Sequence, residues 1–275
     1  MSQDALAIDV AYEAAEAAGK VLLEHFHAGV TARAKQTPGS EAHEPSLSYN
    51  LVSDADLDAE RTILDRIRSA RPHDAVMSEE THQEMRTAER LWIVDPLDGT
   101  NNFTHGIPHF AVSIGYLEGG RPKLGIVHNP VTGDWFVAQS GRGATLNGKR
   151  LSTTSADRLD ECLVGVGFYY DRGAMMRATL EAVESFFGNS IHGIRRMGTA
   201  SLDLCYVAAG RFGVFFEYEL LPWDYAAGAL LVTEAGGRIT DGRGRPLSWG
   251  RTSVVAASKR LHAPAIEIVE RYHPE

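Results

Sequence analysis

The 275-residue sequence contains only two cysteines, Cys162 and Cys205, both in apolar surroundings and neither in a CxxC or Cys/His ligand spacing. That excludes a disulfide-stapled scaffold and a thiolate zinc site, and leaves buried, reduced thiols as the expectation. Positive charge is short as well: 27 Lys and Arg stand against 36 Asp and Glu, a net charge of −9 with His neutral. The basic residues are scattered apart from pairs such as Arg195 and Arg196. This argues against nucleic acid as the main partner, because binding a phosphate backbone needs a basic surface. A small phosphate ester stays open as a ligand, since bound cations can reverse the local sign. No apolar run approaches the ~20 residues of a membrane-spanning helix. The opening MSQDALAIDVAYEAAEAAGK is acidic and amphipathic, without the basic start and apolar core of a signal peptide. A cytoplasmic protein with no membrane partner is expected.

With 44% hydrophobic and 23% charged residues, the chain has the balance of an ordinary globular protein and the length for a substantial core. Apolar positions at Ala5, Ile8, Ala11, Ala15, Ala18, Leu22 and Phe26 predict a long opening helix over residues 4–28. The following TARAKQTPGSEAHEPSLSYN has no period and reads as a loop able to act as a lid. A second helix is predicted from Asp54 to about Ser69, then two short buried strands that run into acid, AVMSEE and LWIVDPLD. FAVSIGYLE, KLGIVHN and DWFVAQ, separated by turn-like EGGRP and NPVTGD, predict an antiparallel sheet. Beyond residue 150 strands and helices alternate: ECLVGVGF, helix 172–187, helix 199–209, GVFFEYE, helix 223–235, SVVAAS and a last helix from 259. The fold class is α/β or α+β, helices layered against two sheets, with residues 1–150 and 151–275 as two halves of one compact unit.

The segment WIVDPLDGTNNF, residues 92–103, ends a hydrophobic run on Asp95 and Asp98, three apart, directly ahead of Gly99 and Thr100. Pro96 is expected to stop strand pairing through the turn, and Gly99 to permit an unusual backbone angle or a close approach. Two acids and a threonine exceed what a helix cap needs, so a cap and a metal site both remain open at this point. SEE at residues 78–80, Asp54 and Asp56 in VSDAD, and Asp224 in PWD are further acids at element ends. Oxygen ligands without clustered Cys or His favour Mg²⁺ or Mn²⁺ over Zn²⁺. His105 and His109 are four apart, but Pro108 between them argues against a helix that would hold them on one metal.

DPLDGTNNF resembles the signature DPxDGTxNF of the inositol monophosphatase family, Mg²⁺-dependent and lithium-sensitive phosphatases. PWDYAAGALLVTEAGG resembles its second signature WDxAAGxxLVxEAGG, and SEE its GEE. The motifs occur in the family's order over nearly the whole chain. The resemblance implies the layered αβαβα sugar-phosphatase fold, with a mainly antiparallel N-terminal sheet and a smaller C-terminal α/β half. It implies that Glu79, Asp95 and the Leu97 carbonyl hold one Mg²⁺ and that Asp95, Asp98 and Asp224 hold a second. Glu79 also touches a weaker third ion, and Mn²⁺ can substitute.

The same resemblance pairs Thr100 with Asp56 to orient an attacking water. It places Asp98, Gly198, Thr199, Ala200 and Glu217 against the organic half of the substrate, with the amides of Gly99 and Thr100 receiving the phosphate. The implied enzyme is a homodimeric phosphomonoesterase acting on a small phosphorylated substrate, myo-inositol 1-phosphate foremost. Fructose 1,6-bisphosphate, 3′-phosphoadenosine 5′-phosphate and histidinol phosphate are competitors. A binding or regulatory protein that keeps the fold is the rival from another class. Two departures stand out. Ser78 replaces the usual Gly, tolerable if the backbone there is extended, and the loop from Lys35 to Asn50 is longer than the family's short form, which puts a Lys35 contact near the metals in question.

Overall fold

The computed structural model of the chain describes residues 3–29, 32–34, 51–81 and 87–274. The 35–50 loop, Lys35 included, lies outside the described residues. Helix α1, Gln3–Ala28, buries a stripe of Ala7, Ala11, Ala14, Ala18 and Leu22 at helical spacing. Its small residues let α2, Asp54–Ala70, pack closely alongside, with Ala55, Ala59, Ile63 and Ile67 on the buried face. A short antiparallel pair, β1 Ala32–Ala34 and β2 Leu51–Ser53, precedes α2.

A seven-stranded sheet follows: β3 Ala75–Ser78, β4 Arg90–Asp98, β5 Ala111–Glu118, β6 Arg121–Asn129, β7 Asp134–Gln139, β8 Gly143–Leu146 and β9 Lys149–Arg150, in that spatial order. Helix α3, Thr100–Thr104, lies between β4 and β5. Only the β3–β4 pair is parallel. The antiparallel run was legible in its alternating segments and turns, whereas β8 and β9 were too short to carry a pattern.

The second sheet has five strands in the order β11-β10-β12-β14-β13, where β10 is Leu163–Val166, β11 Gly193–Arg195, β12 Val214–Leu220, β13 Gly237–Thr240 and β14 Thr252–Ser258. Strand β10 runs parallel to both β11 and β12, and β14 runs antiparallel to β12 and β13. Helices α4 Ala174–Gly188, α5 Ala200–Ala208, α6 Pro222–Glu234 and α7 Lys259–Arg271 complete the chain.

The layers follow from what each helix buries. Helices α1 and α2 cover one face of the large sheet, and α6 with α5 fills the space between the two sheets. Helices α4 and α7 cover the outer face of the small sheet. The middle layer must be apolar on all sides, and α6 is: Trp223, Tyr225, Ala226, Ala227, Leu230, Leu231 and Val232 are all buried. The expected αβαβα layering is therefore the observed one. Among the described residues no helix is long and apolar enough to cross a membrane.

Candidate active site

Four element ends converge beside the middle helical layer. Strand β3 delivers Glu79, β4 delivers Asp95, Leu97 and Asp98, the first turn of α6 delivers Asp224, and the first turn of α2 delivers Asp56. The pairing of β4 with β5 slips by one residue between Asp95↔Ser113 and Asp98↔Ala111. The expectation that Pro96 ends the pairing is thus corrected: β4 continues to Asp98, and Pro96, which has no N–H to give a ladder, occupies the bulge. The bulge aims Asp95 and Asp98 out of the strand's strict alternation. The Leu97 amide donates to Asp95 Oδ1 at 3.0 Å and orients that carboxyl.

Ligand oxygens of Glu79, Asp95 and Asp224 lie within 4.8 Å of one another, the one such group of potential metal ligands among the described residues. All three line a cleft of about 440 Å³. Asp98 lines the same cleft but stands outside this triad, and its Oδ2 accepts the Ser201 amide at 2.6 Å, in the first turn of α5. Asp224 Oδ2 accepts the Leu221 amide at 2.7 Å and so closes the start of α6 while its carboxyl faces the cleft. Cap and potential metal ligand are combined in one residue. An all-oxygen, carboxylate-rich donor set of this size fits a hard divalent cation such as Mg²⁺ or Mn²⁺ and does not suit a thiolate or imidazole metal.

Electrostatics point the same way. Burial pushes Asp224 well above the ordinary carboxylate range, and the charges of Glu79 and Asp98 push it further against the opposing Leu221 hydrogen bond. Burial raises Asp98 to about 6, the Ser201 hydrogen bonds opposing and Glu79 adding to the rise. A cation between these groups would relieve both the desolvation and the mutual repulsion.

Thr100 stands at the rim of the triad. Its hydroxyl lies 3.0 Å from Asp56 Oδ1 and 3.1 Å from the Leu97 carbonyl oxygen. The other Asp56 oxygen accepts the Ser53 amide at 2.8 Å and the Ser53 hydroxyl at 2.6 Å, so Asp56 is fixed from α2 and offers one oxygen to Thr100. Gly99 has φ +96°, and a Cβ there would come within 2.5 Å of Thr199 Oγ1. Only glycine satisfies both demands. The contact also shows that segment 198–201 packs directly against the DGT turn. Thr199 Oγ1 donates to the His109 carbonyl at 2.9 Å, and Asn102 Nδ2 donates to Met197 O at 2.9 Å. Below the turn, Phe103 and Phe110 pack edge to face at 4.8 Å, which gives the motif's phenylalanine a structural role.

Glu217 from β12 lines the same cleft, buried and pushed up to about 8, burial outweighing the Arg196 charge. It abuts Gly167 so closely that any side chain at 167 would run into the carboxyl. Asp203 also lines the cleft, its Oδ1 buried without a hydrogen-bond partner and its pKa driven well up by burial. Arg196 and Arg251 line the rim, Arg251 tied to Glu219 at 2.5 Å and stacked over Tyr169. Sequence reasoning set Arg196 aside and passed over Asp203, Arg251 and Tyr169. Only Asp203 left a signal, an acid in the otherwise apolar helix SLDLCYVA. His105 and His109 do not meet on a metal: His105 Nδ1 contacts the Asn101 carbonyl at 2.8 Å, and His109 Nε2 is buried elsewhere without a partner.

An α/β layered scaffold whose element ends bring a carboxylate cluster able to hold a metal to one cleft is the arrangement expected in a family of metal-dependent phosphatases. The chain belongs to the inositol monophosphatase family, whose model matches residues 4–273. It is similar to the putative Nus factor SuhB of Neisseria meningitidis serogroup B, 36% identical over 96% of this chain and 98% of that protein. It is also similar to the inositol-1-monophosphatase of Rhizobium meliloti, 43% identical over 81% of this chain and 84% of that one. Among solved structures, the extragenic suppressor protein suhB of Bartonella henselae superposes with a TM-score of 0.86 at 33% identity, covering 96% of this chain and 98% of the other.

Proposed function

We propose that this chain is a phosphomonoesterase that uses two Mg²⁺ ions, and a weaker third, to hydrolyse a small polyol or sugar phosphate, with myo-inositol 1-phosphate the favoured substrate. The observation that carries this reading is that the Glu79, Asp95 and Asp224 triad opens onto the same cleft as Thr100, whose hydroxyl is bound to Asp56. In this reading Glu79, Asp95 and the Leu97 carbonyl hold one ion, and Asp95, Asp98 and Asp224 the other. Bound there, the cations supply Lewis acidity, a lowered pKa for water and neutralisation of phosphate oxygens.

The chain's own residues do the rest. Asp56 accepts the Thr100 hydroxyl proton in a hydrogen bond, so the Thr100 oxygen presents lone pairs that orient the attacking water. The Gly99 and Thr100 amides receive the phosphate. Glu217, held neutral near pH 7 by its burial, can both donate to and accept from neighbouring substrate hydroxyls, and Gly198, Thr199 and Ala200 form the adjoining wall. Fructose 1,6-bisphosphate, 3′-phosphoadenosine 5′-phosphate and histidinol phosphate compete for the same reading of the leaving group. The enzyme would work as a cytoplasmic homodimer.

The relatives named Nus factors support a second reading, in which the fold is kept for a macromolecular partner and catalysis is secondary. Phosphate release from a panel of these esters, with and without Mg²⁺, separates the two. The phosphatase reading expects Mg²⁺-dependent turnover that Asp95→Asn abolishes. No release from any ester by the wild type would favour the binding reading.

A further inference from the structure

Glu60 lies one helical turn after Asp56 on the buried face of α2 and is only 2% exposed. Its Oε1 accepts the Ser78 hydroxyl at the end of β3, together with the backbone amides of Glu80 and Thr81, each at 3.1 Å. Its Oε2 accepts the Thr81 hydroxyl at 2.6 Å. Four hydrogen bonds from residues 78–81 therefore end on one side chain. The residue they skip is Glu79, whose own amide donates to the Val94 carbonyl of β4 at 3.2 Å. The backbone around Glu79 is thus clamped from both sides, by the neighbouring strand and by α2.

Fold stability alone does not call for an acid at this place, because a buried carboxyl carries a desolvation cost that an apolar side chain would avoid. What the carboxyl provides is a fixed set of acceptors for a tight turn. Asp56 does the corresponding work for the end of β4, through Thr100. One face of α2, at positions four apart, accordingly grips the ends of both strands that carry the clustered acids. Ser78 takes part in this grip, so its hydroxyl, absent from the family's usual glycine, is in use rather than merely tolerated.

The geometry points to Glu60 as a positioning residue that sets Glu79 against Asp95 and Asp224, so that divalent-cation affinity depends on a side chain that never touches the ion. This inference rests on reading the triad as a cation site. Partners that orient a metal ligand typically alter affinity about 10- to 100-fold when removed.

The test is a Mn²⁺ titration of the full chain, followed by the electron-spin signal of free Mn²⁺ at a temperature where every variant is folded. Glu60→Leu, which removes both acceptor oxygens, should weaken Mn²⁺ binding about tenfold or more, and Thr81→Val, which removes one of the four donors, by less. Val255→Ala, a cavity in the far sheet, serves as a stability control: it should lower Tm and leave the Mn²⁺ affinity at the wild-type value. Wild-type affinity in Glu60→Leu would overturn the inference while leaving the cation site standing. Equal weakening in Val255→Ala at matched Tm loss would reduce Glu60 to a stabilising residue and overturn it too. Absence of Mn²⁺ binding by the wild type would sink the cation site itself, and this inference with it.

Discussion

Thr100 and Asp56, 44 residues apart in the chain, are joined by a 3.0 Å hydrogen bond that links the end of β4 to the first turn of α2. Neither residue belongs to the carboxylate triad, yet the pair flanks it. On the proposed reading the hydroxyl steers water and does not bind a cation. Thr100→Ala should lower kcat by about a hundredfold with little change in Mg²⁺ affinity, and Thr100→Ser should restore most of the rate. Steady-state kinetics at several Mg²⁺ concentrations checks this. A loss that saturating Mg²⁺ fully repairs would assign Thr100 to metal binding instead.

Glu217 makes the metal-free protein sensitive to alkali. Its folded pKa is about 8 against an ordinary value of 4.5. Between those values the folded state keeps a proton that the unfolded state has released, so stability present below the lower pKa is lost as pH rises through the upper one. Glu217→Gln removes that loss. Its Tm without metal should exceed the wild type's by about 3 °C or more at pH 8.5, with the gap narrowing at pH 5. Parallel Tm curves for the two proteins would contradict the assignment.

Gly167→Ala tests the substrate side separately. The new methyl group must displace the Glu217 carboxyl, and none of the atoms it meets belongs to the triad. KM for the ester should rise several-fold with Mg²⁺ affinity unchanged. An unaltered KM would remove Glu217 from the set of substrate contacts.

Away from the cleft, Arg71 Nε donates to Asp74 Oδ2 at 2.8 Å, both side chains buried, and Trp92 Nε1 donates to the same oxygen at 3.1 Å. Asp74→Ala leaves the buried Arg71 guanidinium with the Tyr116 hydroxyl and ring but without its carboxylate partner, and should destabilise the fold by about 3 kcal/mol. Denaturant unfolding measures this. Divalent-cation affinity of the folded variant should stay at the wild-type value, since none of these groups lines the cleft.

Much of the site was legible because its acids stand at element ends next to punctuating residues. Gly99 requires a left-handed angle, and Asp224 follows a proline at the start of a helix, so both announce turns in the primary sequence. Helix periodicity fixed α1 and α2 to within a few residues because their buried faces repeat, whereas α6, apolar all round, was bounded by the TEAGG at its end. What stayed hidden depends on distance through the fold. Glu60 is one more acid on an amphipathic helix until β3 is seen to end against it. Arg251 reaches the rim only because β14 is paired with β12, and the extension of β4 past Pro96 depends on a bulge that local rules for proline do not supply.

The central claim is that these carboxylates hold divalent cations. Crystals grown with Mn²⁺ test it most directly, through the anomalous scattering of the metal. The account predicts two neighbouring peaks that share Asp95, one beside Glu79 and the other beside Asp98 and Asp224, both lost in crystals of Asp95→Asn. Manganese found only at other surfaces, with these side chains left without an ion at saturating concentration, would contradict it.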